Sequence, residues 1–353
     1  MVTTMNSASR WFQTVFAGLS AVILCSAPVS SQGTRWNEDD FYRKAAVARP
    51  FVAAPSADWR TSNTVIGGMR SYAAHTGDTF FDVSRFYGLG YNELIDANPG
   101  VDAWIPAESQ DILLPTEWVL PHAEYSGIVV NIPEMRLYYY HPRKGNGPLL
   151  VSTFPVGLGR DDWRTPQGKF RVRGKTKNPV WNIPESIRKE RIADKGYSET
   201  SIPGGSPDNP LGKYRMELTL PLYTIHGTNI PWGVGMQVSH GCVRLYPEDV
   251  EVLFSMVPVG TPGEFVYQPV KIGARDGRIY AEVHKDIYAL TPGLFWEARR
   301  ILERLGWSDR VDRQRLARAV EEQSGVPLDI TAGAGDARVT EEPRPPRDPS
   351  GHS

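Results

Sequence analysis

The chain has 353 residues, 41% of them hydrophobic, with a formal net charge of -1, enough apolar material for one substantial core and one smaller one. A charge so near zero argues against a nucleic-acid partner and against any general attraction to anionic membranes. Two cysteines are too few for a disulfide framework.

At the start, Arg10 precedes WFQTVFAGLSAVILCSAPVS, an apolar run broken by Pro28 before it reaches a comfortable spanning length. It reads as an export signal over residues 1–31, with Met5 as an alternative start and cleavage near Ser31 in PVSSQG. Two rivals stand beside it. One is a lipoprotein signal acylated at Cys25, where Leu24 occupies a place that needs a small residue; the other is a retained N-terminal anchor, the one way this chain would hold to a membrane. Cleavage removes Cys25 and leaves Cys242 as the single thiol of an exported chain. Such a thiol cannot close an internal disulfide, so it pairs with another molecule, hides, or reacts.

Residues 32–69 lack sustained periodicity and read as a linker, ordered in part if it docks. Over 70–116 the pattern tightens to strand, helix, helix, strand: turn residues at Gly77 and Asp78, apolar Phe81, Val83 and Phe86, then Leu94 and Ile95, then ILL at 112–114. From Gly127 the texture is β-rich, with GIVVNI, RLYYYH, LLVSTFPVGLG, KFRVRGK, YTIHG and EFVYQPV joined by Pro and Gly turns. This favours an antiparallel sandwich or barrel over 124–272. Helical signals interrupt it at PESIRKERIADKG and at PEDVEVLFSMV, which starts just after Cys242. Alternation in KFRVRGKTK places Lys169, Arg171, Arg173, Lys175 and Lys177 on one side, as a solvated face or as a surface for acidic glycan peptides. Residues 273–330 form a helical extension, with Phe295, Ala298, Ile301 and Leu305 on one stripe and a second helix in DRQRLARAVEEQSG. Residues 331–353 are polar and Pro-rich, a disordered tail.

A thiol is a nucleophile as thiolate, and with an ordinary pKa of about 8.5 it needs a base or cation beside it near neutral pH. Three candidates share its domain: His226 in YTIHGTN, His240 in SHGC, and Arg244 two residues beyond Cys242. Spacing alone does not choose between the histidines, although His226 ends a predicted strand, a rigid place for a base. Gly241 lacks a Cβ and lets main-chain N–H groups approach an oxyanion. The plain alternative is a buried structural cysteine with histidines filling turns. A zinc site on His226, His240 and Cys242 is a third reading, with no paired-Cys knuckle or HExxH helix to support it.

Two stretches resemble known families. Gly77-Asp78-Thr79, Tyr87-Gly88, Asn92-Glu93-Leu94, Asn98-Pro99-Gly100 and Ile112-Leu113-Leu114-Pro115 occur in the order of a LysM module, a fold that binds N-acetylglucosamine-containing glycans. The block IHGTNIPWGVGMQVSHGCVRLYPEDVEVLF, with PVGLGRDDWRTPQGKF and PDNPLGKYRMEL upstream, is similar to the L,D-transpeptidase catalytic domain of the ErfK/YbiS/YkuD type. The fold thereby implied is mainly β with α elements: a sandwich or barrel catalytic domain, a small LysM-like αβ module and a C-terminal helical extension. The resemblance implies Cys242 as nucleophile, His226 as general base oriented by the Gly227 carbonyl, and the N–H groups of Gly241 and Cys242 as oxyanion hole. It places His240 on the substrate side, Arg244 on the loop or a substrate carboxylate, and Ser239 in the turn, without metal or cofactor. The implied substrate is a peptidoglycan stem tetrapeptide in the periplasm. D-Alanine would leave, and the acceptor would be the C-terminal lysine of an outer-membrane lipoprotein, which that branch favours, or a second diaminopimelate. The insertion at 181–212 is the expected wall of the acceptor side. Water as acceptor (an L,D-carboxypeptidase) and a non-catalytic wall-binding protein are the alternatives.

Overall fold

The paired runs GIVVN and RLYYY carry no polar face, and in the computed structural model, which describes residues 50–333 and the backbone of 340–341, every residue of Gly127–Asn131 and Arg136–Tyr140 is buried. Strands buried on both sides need cover on both sides. They lie near the middle of a nine-stranded sheet whose order is Phe51–Ala53, Leu149–Pro155, Arg136–Tyr140, Gly127–Asn131, Pro262–Val266, Gly168–Lys177, Tyr214–Leu218, Thr224–His226 and Val243–Arg244. Most neighbours are antiparallel, as the turn pattern implied. Two pairs are parallel, Pro262–Val266 on Gly127–Asn131 and Thr224–His226 on Val243–Arg244, because in each case the chain crosses over instead of turning back. The fold is mainly β with six helices among the described residues.

Period-two alternation divides these strands between two cores. Ile128, Val130, Leu137 and Tyr139 face one core with Phe170, Met216, Ile225 and Val243, closed by Val250 and Leu253 of helix Pro247–Met256. Val129, Tyr138 and Tyr140 face the other. There they meet Phe80, Val83, Leu94, Ile112 and Trp118, so the 70–116 unit covers the nine-stranded sheet and shares its core.

Within that unit Arg70–Ala73 pairs antiparallel with Asp111–Leu114 around helices Phe80–Phe86 and Tyr91–Ala97, the order expected. Thr79 caps the first helix, its side chain accepting from the Asp82 N–H. Charge then fixes the unit in place. Arg85 forks onto Glu248 at 2.8 and 2.9 Å, and fully buried Arg136 donates to Glu93 at 2.6 Å and to the Gly88 carbonyl at 3.1 Å.

In the described part of 32–69 the chain is ordered by docking: Phe51–Ala53 pairs with Leu149–Val151, and Val65–Gly67 pairs with Glu117–Val119. The residues before 50, with the export signal, lie outside the described residues. No helix among the described residues is long and apolar enough to cross a membrane.

The C-terminal extension is not purely helical. Val270–Arg275 and Arg278–Val283 form a hairpin joined by Leu328–Asp329, and helices Leu294–Leu305 and Arg313–Glu322 pack on it. The stripe of the first helix faces this core, with Ala298 and Ile301 buried and Phe295 and Leu305 packed against them; Leu302 joins it. Of the tail, Thr340–Glu341 runs parallel to Arg70–Ser71, an edge pairing where disorder was expected; the rest of it lies outside the described residues from 334 onward.

Extension and sheet meet at a buried charge cluster. Lys271 Nζ lies 2.8 Å from Glu134, 2.8 Å from Glu282 and 2.7 Å from the Val119 carbonyl, with all three side chains fully buried. Removing the ammonium would leave two carboxylates confronting each other in the interior. Lys271→Met should therefore lower unfolding free energy by about 3–5 kcal/mol, read from urea denaturation; a loss no larger than that of a surface lysine would refute this role.

Candidate active site

Parallel pairing of Ile225 with Val243 and of His226 with Arg244 brings the HGT and SHGC segments side by side. Thr224 then stands next to Cys242, its Oγ1 3.6 Å from Sγ, and the thiol points to the Leu222 carbonyl at 3.7 Å. Leu222 is 92% exposed at φ +72°, a left-handed conformation that is strained for this side chain. It holds the carbonyl toward the sulfur. Alternation puts Thr224 and His226 on one face of their strand, so the imidazole follows along the side that Cys242 borders. Among the described residues no hydrogen bond joins the two, the thiol being turned to Thr224 and Leu222.

His226 is 3% exposed, and its Nδ1 lies 2.6 Å from the Gly227 carbonyl. A carbonyl only accepts, so Nδ1 carries the proton and Nε2 is left as the basic nitrogen. Burial, then the Arg244 guanidinium, brings the imidazole pKa down to about 3, against the opposing pull of the Gly227 carbonyl. It is neutral throughout the physiological range.

The turn carrying Cys242 is tied internally. The Gly241 N–H donates to Ser239 Oγ at 3.1 Å and the Ser239 hydroxyl donates to the Cys242 carbonyl at 2.6 Å. The expected oxyanion donor on Gly241 is thus turned to Ser239 instead. Gly241 sits at φ +99°, and a Cβ there would come within 2.7 Å of the Tyr223 ring; only glycine fits. Behind it Thr165 Oγ1 donates to the Gly241 carbonyl at 3.0 Å and accepts from the Gly159 N–H at 3.0 Å. Tyr288 of the C-terminal extension closes the chain, accepting from Thr165 N–H at 3.2 Å and donating to the Gly159 carbonyl at 2.6 Å.

His240 is turned to helix Glu185–Lys195. Its Nε2 lies 2.7 Å from Glu190 on helix Glu185–Lys195, with Arg160 at 3.4 Å and the Trp163 ring at 5.2 Å. His226, His240 and Cys242 therefore do not converge on a common metal position. The only trio of such ligands found among the described residues, Glu134, Glu282 and His284, surrounds the Lys271 ammonium. Arg244 is largely buried beside Cys242; burial pushes its pKa down from the ordinary guanidinium value, and its Nε has no hydrogen-bond partner.

The loop between the two motifs is held by backbone contact with the 70–116 unit. Tyr91 N–H donates to the Val234 carbonyl and Asn92 N–H to the Gly235 carbonyl, both at 3.3 Å. A Cβ on Gly235 would fall 2.4 Å from Gly90 Cα. Sequence reading missed Thr165, Tyr288, Thr224, Arg160 and Glu190. Thr165 and Arg160 lie in the PVGLGRDDWRTPQGKF segment it singled out, whereas nothing local marks Tyr288.

This site lies in a chain that matches the family model of the YkuD L,D-transpeptidase catalytic domain over residues 126–272. It is 35% identical to a probable L,D-transpeptidase, ErfK/SrfK of Salmonella typhimurium, over 70% of this chain and 81% of that protein. It is 36% identical to the probable L,D-transpeptidase YbiS of Escherichia coli over 69% and 80% of the two chains. Similarity to the probable L,D-transpeptidase YcfS of Escherichia coli, at 30% identity, extends over 86% of this chain and 96% of that protein. The chain belongs to the L,D-transpeptidase family and is an enzyme of that class.

The buried imidazole has a consequence for stability. Its folded pKa of about 3 lies below an unfolded value of about 6.5, so the unfolded chain takes up a proton first as pH falls. Stability is complete above about pH 6.5 and is lost toward the folded pKa. His226→Gln should shrink the fall in melting temperature between about pH 7 and 4; an identical pH dependence would contradict the buried, neutral imidazole. His122, brought down to about 4 chiefly by burial, keeps part of the acid sensitivity in the variant.

Proposed function

We propose that Cys242 is the nucleophile of a two-step acyl transfer on peptidoglycan stem peptides at the cell envelope. His226 removes the thiol proton, and the sulfur forms a bond to the carbonyl carbon of the diaminopimelate L-centre. The C–N bond to the terminal D-alanine breaks, and its amine leaves with the proton from His226. An acceptor amine attacks the thioester, gives its proton to His226, and releases the thiolate. The acceptor is a lysine of a lipoprotein or a second diaminopimelate, and the 70–116 unit adds affinity for the glycan. No metal or other cofactor enters this scheme.

The observation that carries the reading is the His226 tautomer: Nδ1 bonded to the Gly227 carbonyl, at the end of the strand whose parallel partner begins just after Cys242. The base is rigid, neutral, and has Nε2 available. Family membership supports the reaction class. With the Gly241 N–H given to Ser239, this reading assigns the Cys242 N–H as the first oxyanion donor, Gly241 joining when substrate loosens the Ser239 bond. Arg244, half-buried beside the sulfur without an acid partner, supports the thiolate and the charge that follows it.

A carbapenem carries a strained acyl carbonyl of the same kind, so incubation should add its mass to Cys242. His226→Ala should slow that acylation by about 10²–10⁴-fold, the range of a lost general base, and His240→Ala by less. An adduct elsewhere, or His240→Ala as the slower variant, would overturn these roles. Products from a disaccharide tetrapeptide then identify the acceptor: peptide-linked muropeptide with a lysine-ended peptide, dimer with diaminopimelate, or free tripeptide if water is used.

A further inference from the structure

Helix Glu185–Lys195 lies over the SHGC segment yet buries none of its own residues. Its inner residues, Ile187, Arg188 and Arg191 among them, are only partly covered. Its polar tie is Glu190, whose two carboxylate oxygens reach different nitrogens: Oε2 lies 2.7 Å from His240 Nε2, and Oε1 lies 3.2 Å from Arg160 Nη2. His240 is two residues before Cys242. Arg160 belongs to the segment that pairs behind it, its N–H donating to the Ser239 carbonyl at 3.0 Å. Arg160 Nη2 and His240 Nε2 are themselves 3.4 Å apart, so one carboxylate can reach both. Asp162 holds Arg160 from the other side at 3.2 Å. Arg244 adds a second guanidinium to the cleft, with a buried Nε lacking a partner. Each member of the Glu190 tie is partly exposed, with side-chain exposures of 22%, 35% and 41% for His240, Arg160 and Glu190, so exchanging one carboxylate for another is cheap.

We infer that Arg160 and His240 form a subsite for the carboxylate of the substrate's terminal D-residue, and that Glu190 occupies this subsite in the resting enzyme until that carboxylate displaces it. This rests on the acyl-transfer reading above and adds the determinant that selects a free C-terminus. The leaving residue carries its carboxylate one carbon from the scissile nitrogen, so it must sit close to the catalytic turn. Neighbours two residues from the nucleophile are suitably placed to receive it. Glu190 acts on binding and on the position of His240, with no part in bond making. Once freed, the helix that it tethers can move from the cleft.

The test is steady-state kinetics on a disaccharide tetrapeptide and on the same compound ending in D-alaninamide, with melting curves to verify that each variant is folded. The wild type should prefer the acid over the amide. Arg160→Gln should reduce that preference by about tenfold or more, the loss of one charge-assisted hydrogen bond. Arg160→Lys, which keeps the charge without the fork, should retain part of it. Glu190→Gln should lower KM for the acid by about threefold or more, because an internal competitor has been neutralised, and should leave KM for the amide near its wild-type value. An acid preference that survives Arg160→Gln, a wild type indifferent to the amide, or a Glu190→Gln variant whose KM for the acid does not fall would each overturn the inference. Trapped acyl-enzyme mass separates this from the parent reading. If Cys242 acylates but the ratios do not move, the subsite alone is wrong; if no acyl-enzyme forms at Cys242, the nucleophile assignment fails.

Discussion

One parallel strand pair underlies the whole site. Thr224–His226 and Val243–Arg244 run in the same direction, and a parallel pair cannot be closed by a tight turn. The chain must leave the sheet after Gly227 and re-enter at Val243. That crossover carries Ser239, His240 and Gly241, and its end delivers Cys242 beside Thr224. Register matters as much as direction, since a slip of one residue would send His226 to the opposite face.

A crossover of this kind is only as precise as its supports, and three parts of the chain supply them. Backbone of the 70–116 unit meets Val234 and Gly235. The strand Leu158–Gly159 pairs with Gln237 and Ser239. Tyr288 reaches in from the C-terminal extension to the Gly159 and Thr165 backbone, and Thr165 in turn holds the Gly241 carbonyl. What reads as accessory chain at either end is thus part of the frame that orients Cys242. Glu93 with Arg136, and Lys271 with its two carboxylates, lock those accessory parts onto the sheet. Buried ion pairs are poor sources of net stability but strict about geometry, which suits a docking surface that must be reproduced closely.

Electrostatics in the cleft are lopsided. His226 is held neutral by burial and by the neighbouring guanidinium, Arg244 has a buried nitrogen without a partner, and Arg160 lies next to His240. The carboxylate that bridges the last pair comes from a helix with no buried residue. Positive charge in the rigid part of the site is thus answered by a carboxylate on a helix with no fully buried residue, an arrangement that suits the anionic substrate proposed above.

The sequence by itself determined the β-rich texture, the strand–helix–helix–strand order at 70–116, the apolar stripe at 295–305 and the residue types around Cys242, because these depend on local periodicity and on motifs contiguous in the chain. It also separated most of the charged face of KFRVRGKTK, whose Lys169, Arg171, Arg173 and Lys177 are exposed; Lys175, beyond a register shift at Val172–Gly174, is instead half-buried and donates to the Phe254 and Val257 carbonyls. Only the tertiary structure decided which strands pair in parallel, that the 70–116 unit shares a core with the catalytic sheet, and that the extension contains a hairpin. It alone turned the Gly241 N–H toward Ser239 and His240 toward Glu190. These are contacts between residues up to well over a hundred positions apart, such as Tyr288 with Gly159, and local composition carries no trace of them: pairing partners are chosen by the packing of the whole core, and a hydrogen-bond donor can serve whichever acceptor that packing brings within reach.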